Sequence, residues 1–405
     1  MTSKATTTPT NLPSSTTSCC NYNCTTSFLL KYHLPLGLAV GLLFGYALPT
    51  PGVWWSSIIV KNDWIKMSNI NVFLIFLISG LKLKTNDIKK AFESWKSVLY
   101  GSAIILVLTP LLSFGLINIP FQTPELAYGL AVFFLGPTTI SSGVILTGQA
   151  KGNIALALML TVLTNLLAIF TMPLLVSLVF SSLEGITVAI DAGSLLLKLM
   201  LYILLPLLLG KMIGYVCACT QVCTKRFKIP LKLFSSFLLV MVPWMSVSKS
   251  ADKFSTMTAG EVFALFGIGI AVHIVYLAVN YNLFRRCCML PLAERKAVVI
   301  MGSQKTLPVA LSVISFLPEL LGSQGLMGLP CIISHFVQIV MDGVVAAKWA
   351  EYVDEKEDDP LVDTQDVAII KEKKLNMPKE SEKKSSKEEE EKDVSVDVKL
   401  IEMTE

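Results

Sequence analysis

Ten apolar stretches follow one another along the chain, separated by short polar connections. They lie at about 33–49, 67–83, 97–119, 125–149, 153–180, 194–216, 232–248, 260–284, 297–318 and 326–348. Each approaches the roughly 20 residues that a helix needs to cross a bilayer. The pattern therefore predicts an all-α, polytopic membrane protein with ten transmembrane helices. Two stretches carry helix-weakening residues near their middle. The fourth contains Gly136-Pro137, then Thr138, Thr139, Ser141 and Ser142, then Gly143; the ninth contains Gly302-Ser303-Gln304-Lys305-Thr306, with Pro308 close behind.

Basic residues test the count of ten. Fifteen Lys and Arg follow the even-numbered stretches: Lys82, Lys84, Lys89, Lys90 and Lys96; Lys151; Lys211, Lys225, Arg226, Lys228 and Lys232; Arg285, Arg286, Arg295 and Lys296. The odd-numbered connections hold Lys61, Lys66, Lys249 and Lys253, with Lys198 at the start of the sixth stretch. Basic loops face the cytosol, so the alternation fits ten spans and predicts that both termini are cytosolic. Asn23-Cys24-Thr25, a nominal glycosylation sequon, would then never meet the glycosylation machinery.

Composition agrees. Of 405 residues 53% are hydrophobic and 16% charged, and the mean hydropathy is +0.62, values of the membrane class. The net charge of +4 combines unlike parts, because 19 of the 30 acidic residues lie after Ala350. Residues 351–405 read as a solvated charged tail and residues 1–27, rich in Ser and Thr, as a disordered one, leaving 28–350 for the ten-helix membrane domain. The basic excess of that domain belongs to its loops and implies a lipid bilayer, not nucleic acid. Nine cysteines show no metal-ligand spacing; Cys217, Cys219, Cys223, Cys287 and Cys288 end apolar stretches beside basic residues, where palmitoylation is one reading and plain thiols the other.

The two interrupted stretches are each the fourth of a five-span half. An odd number of spans per half inverts the second half relative to the first, which predicts inverted repeats. Paired Gly/Pro-interrupted spans at matching positions are the pointer to a secondary transporter's site. Lys305 strengthens it, since a lysine at mid-span costs roughly 2.5–3.5 kcal/mol on insertion scales. The fifth span of each half adds polar residues on one helix face: Thr161, Thr164 and Asn165 in one, His335, Gln338 and Asp342 in the other. The candidate substrate- and ion-binding set is therefore Thr138, Thr139, Ser141, Ser142, Thr161, Thr164, Asn165, Gln304, Lys305, Thr306, His335, Gln338 and Asp342. Asp342 is the candidate counter-charge of Lys305, whereas His33 and His273 are read as structural. No catalytic constellation is visible: Gly-x-Ser-x-Gly, Walker and HExxH sequences are missing, so the chain reads as no enzyme, with no cofactor.

The residues resemble the bile acid:sodium symporter family over about 30–350, in the branch of sodium/bile acid cotransporter 7 and the plant plastid sodium/metabolite cotransporters. The resemblance is carried by Gly136–Thr147 followed by Lys151-Gly152-Asn153, by Val242-Pro243-Trp244, by Ser303–Val309 and by His335–Val345 with Trp349. It implies broken, crossing helices 4 and 9, panel and core subdomains, and transport of a small organic anion, a bile acid or sterol conjugate or a carboxylate, with Na+ as coupling ion. Ser142, Thr164 and Gln304 would then be sodium ligands. The pattern departs at three positions: the family's ion-ligating Asn of span 4 is Gly143, its acidic ligand of span 9 is Ile300, and its neighbouring Asn is Lys305. The alternative is a non-transporting membrane regulator that keeps the fold. The membrane, whether plasma membrane, secretory pathway or plastid envelope, and the oligomeric state stay open.

Overall fold

A computed structural model describes residues 34, 36–58, 67–82, 95–139, 142–183, 190–216, 227–254, 257–286 and 290–357. The two tails up to residue 33 and after 357, Ser141, and the cysteines at 217–223 and 287–288 lie outside the described residues. Contacts divide the chain into Met1–Lys348 and Trp349–Glu405.

All regular structure among the described residues is helical. The helices are α1 (Leu36–Ala47), α2 (Pro49–Ser57), α3 (Met67–Lys82), α4 (Trp95–Leu116), α5 (Pro124–Leu135), α6 (Ser142–Gln149), α7 (Ile154–Ser181), α8 (Ala192–Val216), α9 (Lys228–Lys249), α10 (Ala259–Arg286), α11 (Leu292–Ser303), α12 (Leu307–Phe316) and α13 (Gln324–Glu357). Each of the ten apolar stretches contains helix, but seven spans among the described residues are long and apolar enough to cross a membrane, or eight if a bent pair is counted as one. The shortfall has local causes. The first stretch turns by 96° between α1 and α2, at Pro49. The second gives only the short α3, and the fourth is divided between α5 and α6. The chain is an integral membrane protein of multi-pass, all-helical class.

Punctuation residues set these boundaries. Asn153 caps α7, its side chain accepting from Leu156 N at 3.0 Å, and Asp191 caps α8 through Gly193 N at 2.9 Å. Prolines open α2, α5 and α12 in their first turns, where the missing N–H is harmless. Inside α4, Pro110 follows a π-turn at Ile104–Leu108 and opens the second position of a 3₁₀ turn at Thr109–Leu112. Such turns free carbonyls from the regular ladder.

Two groups of helices pack closely. In one, α3 lies against α8 and α9, and α9 against α2. A Cβ on Gly80 would sit 2.2 Å from Leu207 O, and one on Gly210 would sit 2.2 Å from Leu77 O, so the backbones of α3 and α8 touch. Small residues permit that approach, which is how apolar helices gain packing energy in lipid. In the other group, α11 is surrounded by α4, α6, α7 and α10, while α12 lies on α5. The span formed by α11 and α12 is almost wholly buried, and it contains the polar run Ser303–Thr306.

Candidate functional site

Helix α5 stops at Gly136, whose ψ of 162° turns the chain extended. Helix α11 stops at Ser303, and Gln304 and Thr306 are extended too, with ψ of 145° and 126°. The two breaks are bonded to each other. Thr306 N donates to Pro137 O at 2.9 Å, and Thr138 Oγ1 donates to Met301 O at 2.6 Å. Helix α5 contacts α12, and α6 contacts α11, so the first half of each interrupted stretch lies beside the second half of the other. Extended backbone with free polar groups survives at this depth only because protein surrounds it.

An extended strand sends successive side chains to opposite sides, and this decides what the break can do. Lys305 goes one way. It is fully buried, and its Nζ donates to Gly136 O at 2.8 Å, Ile105 O at 3.0 Å and Thr109 Oγ1 at 2.7 Å. An ammonium has three donors, and all three are used. The Tyr276 ring centroid lies 5.9 Å from the nitrogen, within range of a cation–π attraction. The Ile105 carbonyl comes from the π-turn of α4, and the Gly136 carbonyl from the end of α5.

Gln304 goes the other way. Its Oε1 accepts from Thr139 Oγ1 at 2.9 Å and Ser142 Oγ at 3.1 Å, and its Nε2 donates to Asp342 Oδ2 at 2.7 Å. Thr139 accepts from Gly143 N at 2.9 Å, so its own hydrogen is free for Gln304. Asp342 Oδ1 pairs with His273 Nε2 at 2.8 Å, both groups buried. The expected Lys305–Asp342 pairing is therefore corrected: Lys305 leaves the break on the side away from Asp342, and that carboxylate, on α13, meets Gln304 and His273. His273, read from sequence as structural, is the partner of Asp342 that the sequence reading did not name. An ionisable side chain inside an apolar span was its signal.

The polar faces of the fifth spans hold the breaks in place. Gln338 accepts from Lys305 N at 2.9 Å and donates to Lys305 O at 2.7 Å, and it also meets His335 Nδ1 at 2.8 Å. Asn165 Nδ2 donates to Thr138 O at 3.0 Å, and Thr161 Oγ1 to Thr139 O at 3.2 Å. Thr109, Tyr276 and Asn280 belong to the same cluster without having been singled out: Tyr276 donates to Thr109 O at 2.6 Å, and Asn280 to Ser303 Oγ at 3.1 Å. Thr164 Oγ1, Asn165 Oδ1, Thr306 Oγ1 and Ser334 Oγ are buried with no hydrogen-bond partner among the described residues. Ser142 and Gln304 come together as expected, but neither is bonded to Thr164. A Cβ on Gly143 would lie 2.7 Å from both Met301 Sδ and Thr139 Oγ1, so this position has no room for a larger residue without movement. Away from the breaks, a cavity of about 320 Å³ is lined by Asn69, Ser246, Lys249, Lys253, Ser323 and Gln324 among others.

Comparison with known proteins shows the family. Residues 32–351 match the SBF-like CPA transporter family. The chain is 37% identical over 334 residues to a protein of Arabidopsis thaliana described as probable sodium/metabolite cotransporter BASS4, chloroplastic, covering 80% of this chain and 73% of that one. A rice protein of the same description is 32% identical over 335 residues, 80% of this chain and 77% of its own. Sodium/bile acid cotransporter 7 of Danio rerio is 26% identical over 322 residues, 76% of this chain and 91% of that protein.

Proposed function

Because the chain belongs to the SBF-like CPA transporter family, whose members are transporters rather than enzymes, we propose that it carries a small organic anion through a ten-span fold of two inverted five-helix halves. In this reading α5–α6 and α11–α12 are the crossing broken helices. The group of α1–α3, α8 and α9 is the panel, and α4–α7 with α10–α13 is the core. Both termini face the cytosol. The charged tail after residue 350 and the Ser/Thr-rich residues 1–27 lie outside the transport domain.

The observation that carries this reading is the Lys305 ammonium held by three oxygens from two different helices. It has the arrangement of a bound monovalent cation, except that the cation is a side chain. Lys305 therefore takes over the charge that sodium supplies where the family's ligands are intact. The residues here do not suit sodium. Ile300 offers no carboxylate, Gly143 offers no side-chain oxygen, and the Gln304 oxygen already takes two hydroxyl donors. A fixed positive charge one residue away opposes a second cation.

An anionic substrate is supported by that fixed charge and by the unpartnered oxygens of Thr164, Asn165, Thr306 and Ser334, which suit a hydrated polar ligand or its water. The polar cavity with Lys249 and Lys253 among its walls fits an approach path for an anion of carboxylate size. The test is uptake of labelled carboxylates and bile acids into proteoliposomes, each with and without sodium. Sodium-independent uptake that Lys305→Ala abolishes is expected. Steep sodium dependence would overturn the tethered-cation reading; a folded protein moving no probe would favour the regulator.

A further inference from the structure

Lys249 and Lys253 stand against the charge pattern of the chain. The connections after odd-numbered stretches hold four lysines, and these are two of them. Basic residues are drawn to the cytosolic side, so a pair kept on the poorer side calls for a reason of its own. Both line the cavity of about 320 Å³ that lies away from the breaks. The chain turns at Ser250, which caps α9, and resumes as a short helix at Ala251–Phe254, which brings both lysines to that space. We propose that this cavity binds a small dianion of the dicarboxylate class, at a site separate from the helix breaks. This rests on the anion-transport reading above and narrows its substrate.

Two of the lining residues are cationic and none is anionic. Asp252 is exposed and outside the lining. Glu125 is engaged by the loop that forms one wall: its Oε1 accepts from Ser323 N at 3.2 Å, and a Cβ on Gly322, whose φ is +115°, would lie 2.5 Å from its side chain. An ammonium has three donors, so each lysine can keep a contact within the protein and still reach an anion. Ser68 lies in the first turn of α3, and Gln324 and Gly325 in the first turn of α13. The positive ends of two helices therefore border the same space.

Volume and lining decide the class of ligand. At about 30 Å³ per water-sized group the cavity holds roughly ten such groups, the lower end of the roughly 300–1,000 Å³ of small-molecule sites. A diacid such as succinate fits, and a steroid does not. Met245 is the only apolar side chain in the lining, whereas a bile acid needs apolar walls for its rings. Two fixed positive charges favour two carboxylates over one.

The cavity is bounded by α3 and α9 on one side and by α12 and α13 on the other. These helix groups touch at its edge. A Cβ on Gly325 would lie 2.4 Å from Ser246 O, and the hydroxyls of Ser250 and Ser323 are bonded to each other. An anion held there meets both groups at once, so its binding favours the arrangement of the two that forms the cavity.

The test is titration calorimetry of the full chain in phosphatidylcholine nanodiscs, with succinate, acetate and taurocholate at matched ionic strength. Succinate is expected to bind about tenfold more tightly than acetate, a difference of about 1.4 kcal/mol, and taurocholate not to compete with it. Both lysines are exposed, so the double variant Lys249→Gln, Lys253→Gln should fold, and it should lose the preference for succinate. Lys96→Gln, at an exposed lysine on α4, should keep it. Succinate binding that survives the double substitution overturns the site, as does equal affinity for acetate or competition by taurocholate. Loss of succinate binding when phosphatidylglycerol replaces part of the lipid assigns the lysines to a headgroup and overturns the free dianion. Uptake of labelled succinate and taurocholate separates the two levels of the argument. Succinate bound in the cavity with neither probe carried leaves the site standing and overturns transport. Taurocholate carried with succinate neither bound nor carried leaves transport standing and overturns the site.

Discussion

Truncating Lys305 to alanine should leave a cation site that the medium can fill. The variant strands Gly136 O and deprives Ile105 O and Thr109 Oγ1 of one partner each. Hydrogen bonds to a charged group contribute about 1.5–3 kcal/mol each, and a stranded buried acceptor costs about 1–3 kcal/mol. Removing the ammonium also relieves a desolvation penalty of several kcal/mol. Ile105 O keeps a bond from Thr109 Oγ1 at 3.2 Å. The net loss should therefore be about 2–4 kcal/mol, of which the Gly136 carbonyl and the emptied volume are the main parts. A small primary ammonium should refill the cradle. At about a hundred times its dissociation constant it would return about 2.7 kcal/mol, most of the deficit. The assay is thermal unfolding of the purified variant against ethylammonium chloride, with tetramethylammonium chloride at matched ionic strength, since that ion has no N–H to donate. Wild type should respond to neither salt. Equal responses of the variant to both salts would falsify the claim that three oxygens form a cation site.

Other substitutions test neighbouring parts of the argument. Gly210→Val should push α3 and α8 apart and sharply lower the yield of folded protein in a fluorescence-detected sizing assay, whereas Gly267→Ala, whose Cβ would meet nothing within 4 Å, should be neutral. Gln338→Leu removes the clamp on both backbone groups of Lys305; at about 1–3 kcal/mol per stranded group, melting should show a loss of roughly 2–6 kcal/mol. Gly143→Asn restores the family's residue but sets its Cβ against Met301 and Thr139. Uptake measured with and without sodium should fall in both buffers, and a gain of sodium dependence would count against the reading of a filled site.

The sequence makes the breaks legible because their cause is local. Gly136-Pro137 and the run from Gly302 to Pro308 end helices wherever they stand, and the faces formed by His335, Gln338 and Asp342 follow from helical spacing. What it does not show is which way each side chain leaves an extended segment. Opposite charges on Lys305 and Asp342 suggest a pair until alternation sends Gln304 to the carboxylate and Lys305 to the oxygens of Gly136, Ile105 and Thr109. The π-turn that presents Ile105 O has no side-chain signature, although Pro110 marks its neighbourhood. His273 and Asp342 are 69 residues apart, and only packing joins them. The count of spans is harder still, since a 96° bend and a 16-residue helix satisfy hydropathy without giving a full crossing.

The Lys305 ammonium has one more consequence, for the making of the protein. A dissolved ion occupies a site according to its concentration, so a fold that depends on one must be assembled where that ion is plentiful. A cation attached to the chain has a fixed stoichiometry and a local concentration set by its tether. It is present from synthesis onward, and neither dilution nor a change of salt removes it. The joint between the two broken helices can therefore close at any point along the protein's route through the cell, whatever electrolyte lies on either side of the membrane.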